Sequence, residues 1–447
     1  MSRRKQQRES ANPHEQATQT TNEKILKDCY DLYTSQDHGL VKCAEELGLT
    51  VLVPRRKITV LLIGNHSAGK SSFINWYIEE HVLKTGVAIE TQGFAFVTSG
   101  KKRESLTGNA TLKLYPHFKE LEKLEGVVNY LTTEVSTSRQ KKFGMVVFVD
   151  TPGLVDGDMK YPFNVDDSIV WLGGLADLIF VFFDPMGQAL CRRTLNVVER
   201  LNEKYTDRIK FYLSKSDTAG TETDRQKVMV QITQELCKRP GLNRAGFEMP
   251  TIFVPSLTEK QPRCENQIDE LCQEVEKTIN QAVQTTLNTL EKDCNTITQE
   301  IDRRLDQDRQ RVSTNCCGLV KGYFLGLASF CLLQLLIVVT VNKDTLTTII
   351  RQFLGEEGTL VMKELIAQTQ AVWQLLPSTY SLVVLTVLIL VFLYLASVTV
   401  RSKPTLSRRE KKDLLARKEH IIKNVRPVKE RLYQNYLKQS ISAADLY

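Results

Sequence analysis

Nine consecutive residues, Gly64-Asn65-His66-Ser67-Ala68-Gly69-Lys70-Ser71-Ser72, combine backbone-permissive positions with one lysine and several hydroxyls. They follow the apolar run Ile58 to Ile63 and precede the helical run Phe73-Ile74-Asn75-Trp76-Tyr77-Ile78. Strand, G-x-x-x-x-G-K-[ST], helix is the order of a loop whose backbone N–H groups wrap the phosphates of a nucleoside triphosphate. Gly64 and Gly69 are expected to take backbone angles that other residues resist. Lys70 brings a compact positive charge to the β and γ oxygens, and the Ser71 hydroxyl is placed to ligate Mg²⁺. The helix that follows points its N-terminus at the anion.

Three further motifs follow in the chain order of a GTPase domain. Met145 to Val149 reads as a buried strand delivering Asp150-Thr151-Pro152-Gly153. Asp150 is expected to hold the Mg²⁺ shell through water, and the Gly153 N–H to sense a γ-phosphate. Ile209 to Leu213 then runs into Ser214-Lys215-Ser216-Asp217, where a base-reading loop belongs. A carboxylate at Asp217 can accept two hydrogen bonds from guanine that adenine cannot offer, while the stem of Lys215 covers the base. Finally, Thr251 to Val254 ends at Pro255-Ser256-Leu257, the place of a last base-contacting loop. The implied ligands are GTP and Mg²⁺, and the implied fold is α/β: a mostly parallel sheet flanked by helices.

G-N-H-S-A-G-K-S-S-F-I resembles the P-loops of the dynamin superfamily. Gly86 to Gly100 resembles the switch I region of the EHD branch, and alignment on Gly86, Phe94 and Gly100 puts Thr91 on the switch I threonine, a second Mg²⁺ ligand beside Ser71. The resemblance covers roughly residues 25 to 260 and implies nucleotide hydrolysis coupled to self-assembly and membrane remodelling. It departs from the EHD branch at Ser214, where that branch carries Asn and binds adenine nucleotides; dynamins carry Thr there and bind guanine. No EH domain follows. Leu154 stands where Ras-type enzymes use a water-orienting Gln, so that role must come from elsewhere. By the dynamin pattern it falls to His66 and Ser67 in the P-loop, with Lys70 and Thr91 completing the expected catalytic set.

These motifs need a scaffold and an anchor, and the rest of the chain reads as both. Residues 1–22 read as a disordered N-terminus, 23–57 as an N-terminal helical segment, 58–258 as the G domain and 263–318 as a helical stalk. In the stalk Ile268, Leu271, Val275, Ile279, Ala282, Leu287, Leu290, Ile297, Ile301 and Leu305 form an apolar stripe. Its expected partner is the N-terminal helix around Ile25, Leu26, Cys29, Tyr30, Leu32 and Tyr33. Residues 319–341 and 378–400 are uncharged apart from Lys321 and long enough to span about 30 Å of hydrocarbon. The connecting loop, 342–377, carries an amphipathic helix.

Charge sets the orientation. Cations flank the outer ends of both spans and are sparse in the loop, which places both termini in the cytosol. The endoplasmic reticulum or another intracellular membrane, the mitochondrial outer membrane included, is the expected site. The tail 401–447 holds 13 Lys/Arg against 5 Asp/Glu within a chain of net charge +7. Directly after a span, that excess reads as attraction to anionic lipid headgroups rather than nucleic acid, because no aromatic platform is interleaved. Ten cysteines lack C-x-x-C spacing and suggest neither zinc nor a disulfide framework.

Two-span anchor and G domain together resemble the layout of atlastin and mitofusin. The leading expectation is an assembly-coupled GTPase, self-associating through G domain and stalk, that tethers, fuses or shapes membranes. An EHD-like ATP-binding remodeller and a nucleotide-gated scaffold with negligible hydrolysis are the alternatives.

Overall fold

The phosphate-loop strand sits inside a seven-stranded sheet, counted among the described residues, with order β3-β4-β2-β5-β1-β6-β7. The computed structural model describes residues 20–36, 38–86, 93–156, 161–186, 190–239, 242, 248–255, 264–341, 345–346, 348, 350–352, 362–369, 371 and 378–440. Helices α1 (Thr21–Thr34) and α2 (Leu40–Glu46) precede β1 (Ile58–Gly64) and α3 (Lys70–Ile78). Then come β2 (Phe94–Ser99), β3 (Glu104–Thr107), α4 (Gly108–Leu114), β4 (Leu131–Ser136) and β5 (Val146–Asp150). The sheet closes with α5 (Val165–Leu175), β6 (Leu178–Phe183), α6 (Arg192–Tyr205), β7 (Ile209–Leu213) and α7 (Glu222–Cys237). After it run α8 (Ile268–Thr340), α9 (Ser378–Thr399), α10 (Arg408–His420) and α11 (Arg426–Ser440).

Strand β1 is buried at every position and lies parallel to β5 on one side and β6 on the other. Near-continuous apolar runs are what a strand covered on both faces requires. Parallel pairing brings the C-terminal ends of β1, β5, β6 and β7 to one edge, where open α/β sheets bind ligands. Strand β2 departs from this rule by pairing antiparallel to β5, and β3 pairs antiparallel to β4. Helix α3 is fastened over the sheet by Phe73, whose ring meets Phe148, Phe180 and Phe182 edge-on at 5.7–6.4 Å between centroids. Edge-to-face contact of this kind adds to the burial of a large apolar ring.

Two compact units divide the chain. One runs to Cys294 and resumes at Lys423; the other is Asn295–Ile422. In the first, the apolar stripe of α8 is buried as its spacing requires: Ile268, Leu271, Val275 and Ile279 join the sheet's core beside Phe73 and Tyr77. Val283 and Cys294 belong to the buried face as well, while Ala282 is only half-buried. Helix α1 packs here with Ile25, Leu26, Cys29 and Tyr33 buried. Its Tyr33 hydroxyl donates to Asp293 Oδ2 at 2.7 Å, and Asn22 Nδ2 donates to Asn280 Oδ1 at 2.9 Å. The C-terminal helix α11 returns to the same bundle, where Tyr436 OH accepts from Gln284 at 2.7 Å and Lys429 pairs with Glu291 at 2.9 Å.

In the second unit, α8 continues without a break through Thr340, so the apolar run starting near Gly318 extends the same helix that began in the bundle. Only 11% of the apolar window of α8 and of α9 is buried, and both helices are long and apolar enough to cross a membrane. They approach closely at Gly318, where a Cβ would lie 2.5 Å from the Thr399 carbonyl oxygen, and at Gly322, where it would strike Val400. Small residues at such a crossing let two backbones meet.

Part of the tail's charge is paired within the chain. Lys411 pairs with Asp308 and Lys418 with Asp302, each at 2.5 Å, and Asp308 also accepts from the Leu406 N–H at 2.7 Å. Asn315 and Lys403 exchange two hydrogen bonds of 2.9 Å. The acids of the stalk thus consume part of the tail's charge, leaving Arg401, Lys403, Arg408, Arg409 and Lys412 exposed. All ten cysteines are free thiols.

The Tyr33 bond tests the bundle. Replacing Tyr33 by Phe removes a donor from a carboxylate, which typically costs about 1.5–3 kcal/mol. A lower urea midpoint, followed by tryptophan fluorescence with an unchanged denaturant slope, is the expected result.

Candidate functional site

The cleft at the C-terminal edge of the sheet has a volume of about 140 Å³ and is lined by His66, Ser67, Ala68, Gly69, Lys70, Ser71 and Ser72 of the P-loop. Thr151 and Gly153 line it from the loop after β5, and Lys215 from the loop after β7. Lys84, Thr85 and Gly86 complete the wall.

The loop's shape has two causes. Gly69 (φ +82°) and Ser67 (φ 60°) are left-handed, which gives the loop its reversal ahead of α3. Gly64 is needed for another reason than the one its spacing suggests. It stays in the strand region, but a Cβ there would lie 2.6 Å from the Phe182 carbonyl oxygen of neighbouring β6. The Asn65 side chain is held from α6: its Oδ1 accepts from Thr194 Oγ1 at 2.5 Å.

Lys70 is 6% exposed, and its ammonium donates to the carbonyls of Gly64 (3.2 Å) and Asn65 (3.0 Å). Burial pushes its pKa down, and the charge of Asp150 works against that shift. Asp150 is fully buried; burial pushes its carboxyl up, while Lys70 and the Ser71 hydroxyl pull it back. Ser71 Oγ donates to Asp150 Oδ2 at 2.5 Å, so two of the three expected metal-binding residues are already in contact. Asp150 Oδ1 is buried with no hydrogen-bond partner. An orphaned carboxylate oxygen beside a serine hydroxyl suits a hard, hydrated cation, and Mg²⁺ fits that donor set. Thr91, the third residue, lies outside the described residues, as does Ser256.

The loop after β5 is tied to the P-loop. His66 N–H donates to the Leu154 carbonyl at 3.1 Å, and Leu154 N–H donates to the Gly64 carbonyl at 3.2 Å. A Cβ on Gly153 would lie 2.6 Å from His66 Cα, so only glycine fits there. Tyr161 OH donates to the Gly153 carbonyl. Leu154 itself is fully buried and offers nothing to the cleft.

At the base-reading end, Ser214 Oγ donates to the Phe183 carbonyl at 3.1 Å and Ser216 Oγ to the Ile252 carbonyl at 3.3 Å. Both serines therefore fasten the loop. Lys215 has φ 51°, and a Cβ on Gly69 would lie 3.9 Å from its stem. Its ammonium pairs with Asp184 at 3.5 Å. Asp217 follows on the same loop, half-buried, but it does not line the cleft. Sequence reasoning did not single out Lys84 and Thr85 of the wall or Asp184 beside Lys215; none belongs to a motif, and only through-space proximity reveals them.

Residues 60–235 match the model of the Dynamin family. Over this segment the chain is similar to the Dynamin family. EH domain-containing protein 2 of Rattus norvegicus is 26% identical over 173 residues, 37% of this chain and 31% of its own. EH domain-containing protein 1 of Homo sapiens is 25% identical over 173 residues, 37% of this chain and 32% of its own. The chain thus spans about a third of the length of these curated relatives. A solved structure of an oligomerised bacterial dynamin pair aligns over 97% of this chain and 81% of its own at 14% identity, with a TM-score of 0.41. Toc33 of Arabidopsis thaliana, in complex with Mg²⁺ and GMPPNP, aligns over 59% of this chain and 93% of its own at 13% identity and a TM-score of 0.31. The matched segment begins inside β1 and ends inside α7, so it contains the P-loop, Asp150, Gly153, Lys215 and Asp217, while α8 to α11 lie beyond it.

Asp150→Asn checks the metal assignment. The amide keeps a partner for Ser71 but withdraws the negative charge, and loss of such an outer-sphere ligand typically costs about 10–100-fold in metal affinity. Titration of a fluorescent guanine nucleotide should show its Mg²⁺-dependence displaced to higher Mg²⁺ by that factor.

Proposed function

We propose that this chain is a membrane-anchored, dynamin-like GTPase whose turnover is coupled to assembly and which tethers, fuses or shapes the membrane that holds it. The observation that carries the reading is the cleft in which Lys70, the Ser71–Asp150 pair, Gly153 and Lys215 meet. The dynamin-family match over residues 60–235 supports the reaction class. The two apolar helices, with outward-facing Tyr323, Phe324, Leu390 and Tyr394 exposed, support the anchor.

In this reading, the P-loop amides and Lys70 hold the polyphosphate of GTP, and Asp217, Lys215 and Ser256 receive the base. Ser71, Thr91 and, through water, Asp150 would hold Mg²⁺, which would supply charge neutralisation to the polyphosphate. Water attacks the γ-phosphorus, the bond to the β–γ bridging oxygen breaks, and GDP and phosphate result. Leu154 faces the core, so the attacking water is oriented by His66 and Ser67 once a second G domain covers the cleft. Covering the cleft excludes water and strengthens every charge interaction within it. Both termini lie in the cytosol, where GTP is available. The enclosure of Leu154 also favours a second reading, a nucleotide-gated scaffold that binds GTP and hardly turns it over.

Assembly coupling separates the two. Specific GTPase activity of the full chain in liposomes should rise steeply with protein density over a hundredfold range, and phosphate release that stays flat favours the scaffold. Base choice is tested separately. Asp217→Asn should lose preference for GTP over ATP by about tenfold, since losing one good hydrogen bond to a charged group is worth about 1.5–3 kcal/mol. Competition binding with both nucleotides reads the change, and an unaltered preference removes Asp217 from the site.

A further inference from the structure

Among the cations lining the nucleotide cleft, Lys70 is bonded to two carbonyls and Lys215 is paired with Asp184. Lys84 is different. It lines the same cleft, is exposed, and forms no hydrogen bond or ion pair among the described residues. It belongs to none of the motifs that announce the site, and its position is nonetheless built.

The segment before it is pinned to the phosphate-binding helix. Asn75 of α3 accepts from the N–H groups of Val82 (3.1 Å) and Leu83 (3.0 Å) through Oδ1, and its Nδ2 donates to the Leu83 carbonyl at 2.8 Å. Leu83 is buried in the core with Phe73 and Ile74 of that helix. Arg103 donates to the His81 carbonyl at 2.8 Å and pairs with Glu80 at 3.3 Å, which fastens the start of the segment. The chain is therefore clamped at 80–83, and the next three residues form the cleft wall beside Ser71 and Ser72. A flexible ammonium on a fixed backbone, facing a loop that cradles the α- and β-phosphates, is a phosphate ligand by its chemistry.

We propose that Lys84 is a second polyphosphate-binding cation, supplied in cis and positioned by Asn75. The proposal rests on the nucleotide reading of the cleft. Lys84 meets the diphosphate from the wall opposite the buried Lys70, and so contributes to GTP and GDP alike. The contact is to phosphate and indifferent to the base, so ATP binding carries the same contribution. Asn75 lines no part of the cleft and acts only through the segment it clamps.

The test is titration of fluorescent GTP, GDP and ATP analogues into the full chain in liposomes, at low and high salt. Lys84→Gln should weaken GTP and GDP about tenfold each at low salt, the scale of a hydrogen bond to a charged group. That loss should shrink as ionic strength rises, because an exposed charge is screened. Lys84→Arg should restore most of the affinity, and Asn75→Ala, with Lys84 intact, should reproduce the loss. A parent chain that binds and a Lys84→Gln variant that matches it at every salt concentration overturns the proposal while leaving the nucleotide reading in place. So does a loss that persists unchanged at high salt and is not rescued by arginine. A parent chain that binds none of the three nucleotides overturns the reading itself.

Discussion

A buried ammonium held by carbonyl oxygens sets the terms for the G domain. Lys70 is 6% exposed and touches the Gly64 and Asn65 carbonyls, with the Asp150 charge nearby but not in contact. Removing such a charge from water costs several kcal/mol unless strong partners surround it. Keeping it there demands a rigid cradle, and the sheet supplies one. Strand β1 lies between β5 and β6 in parallel register, Leu62 opposite Asp150 and Gly64 opposite Phe182, so lysine, acid and loop glycine emerge on one edge. A polyphosphate is the ligand that this concentration of cation and backbone donors suits.

The helical half solves another problem with one element. Helix α8 runs 73 residues and meets two kinds of surroundings along its length. From Ile268 to Ile301 its apolar residues recur on one face and are buried, as a bundle requires. Beyond Gly318 apolar residues turn outward all round, with Tyr323, Phe324, Leu327 and Phe330 exposed. That surface suits hydrocarbon rather than water, and close contact with α9 is made where glycine allows it. The tail answers with charge: Asp302 and Asp308 each hold a lysine of α10, and Glu291 holds one of α11.

What was legible in the sequence is what is local in the chain. The P-loop, the strand before it, the Asp150-Thr151-Pro152-Gly153 turn and the α8 stripe are contiguous patterns, and each takes the shape its spacing implies. The errors came where a contact closes over distance. Gly64 was assigned a torsional role, but the obstacle to a side chain is a carbonyl of β6, more than a hundred residues on. The hold of Thr194 of α6 on the Asn65 side chain likewise closes over distance. The acidic partners of the tail lysines were equally hidden, because they lie on a helix far back in the chain. Lys84 was invisible for the same reason, since its place depends on a hydrogen-bond clamp from Asn75.

The same closeness that explains Gly153 constrains how the site can respond to nucleotide. Gly153 rests on the His66 backbone with no room for a methyl group, and His66 and Leu154 are joined by a backbone hydrogen bond. Leu154 is in turn bonded to Gly64 and sealed in the core. Gly153 therefore cannot advance toward a γ-phosphate independently of His66: a shift in one must move or break its contact with the other. The loop continues to Asp156, whose carboxylate caps α6 through the N–H groups of Arg192 (2.8 Å) and Arg193 (3.0 Å). Arg193 lies 4.8 Å over the Tyr161 ring, and Tyr161 holds the Gly153 carbonyl. Helix α6 also carries Thr194, which grips Asn65. The P-loop and the loop after β5 are thus fastened to each other directly and again through α6. In a site wired this way, a displacement at Gly153 reaches the P-loop histidine and a surface helix together.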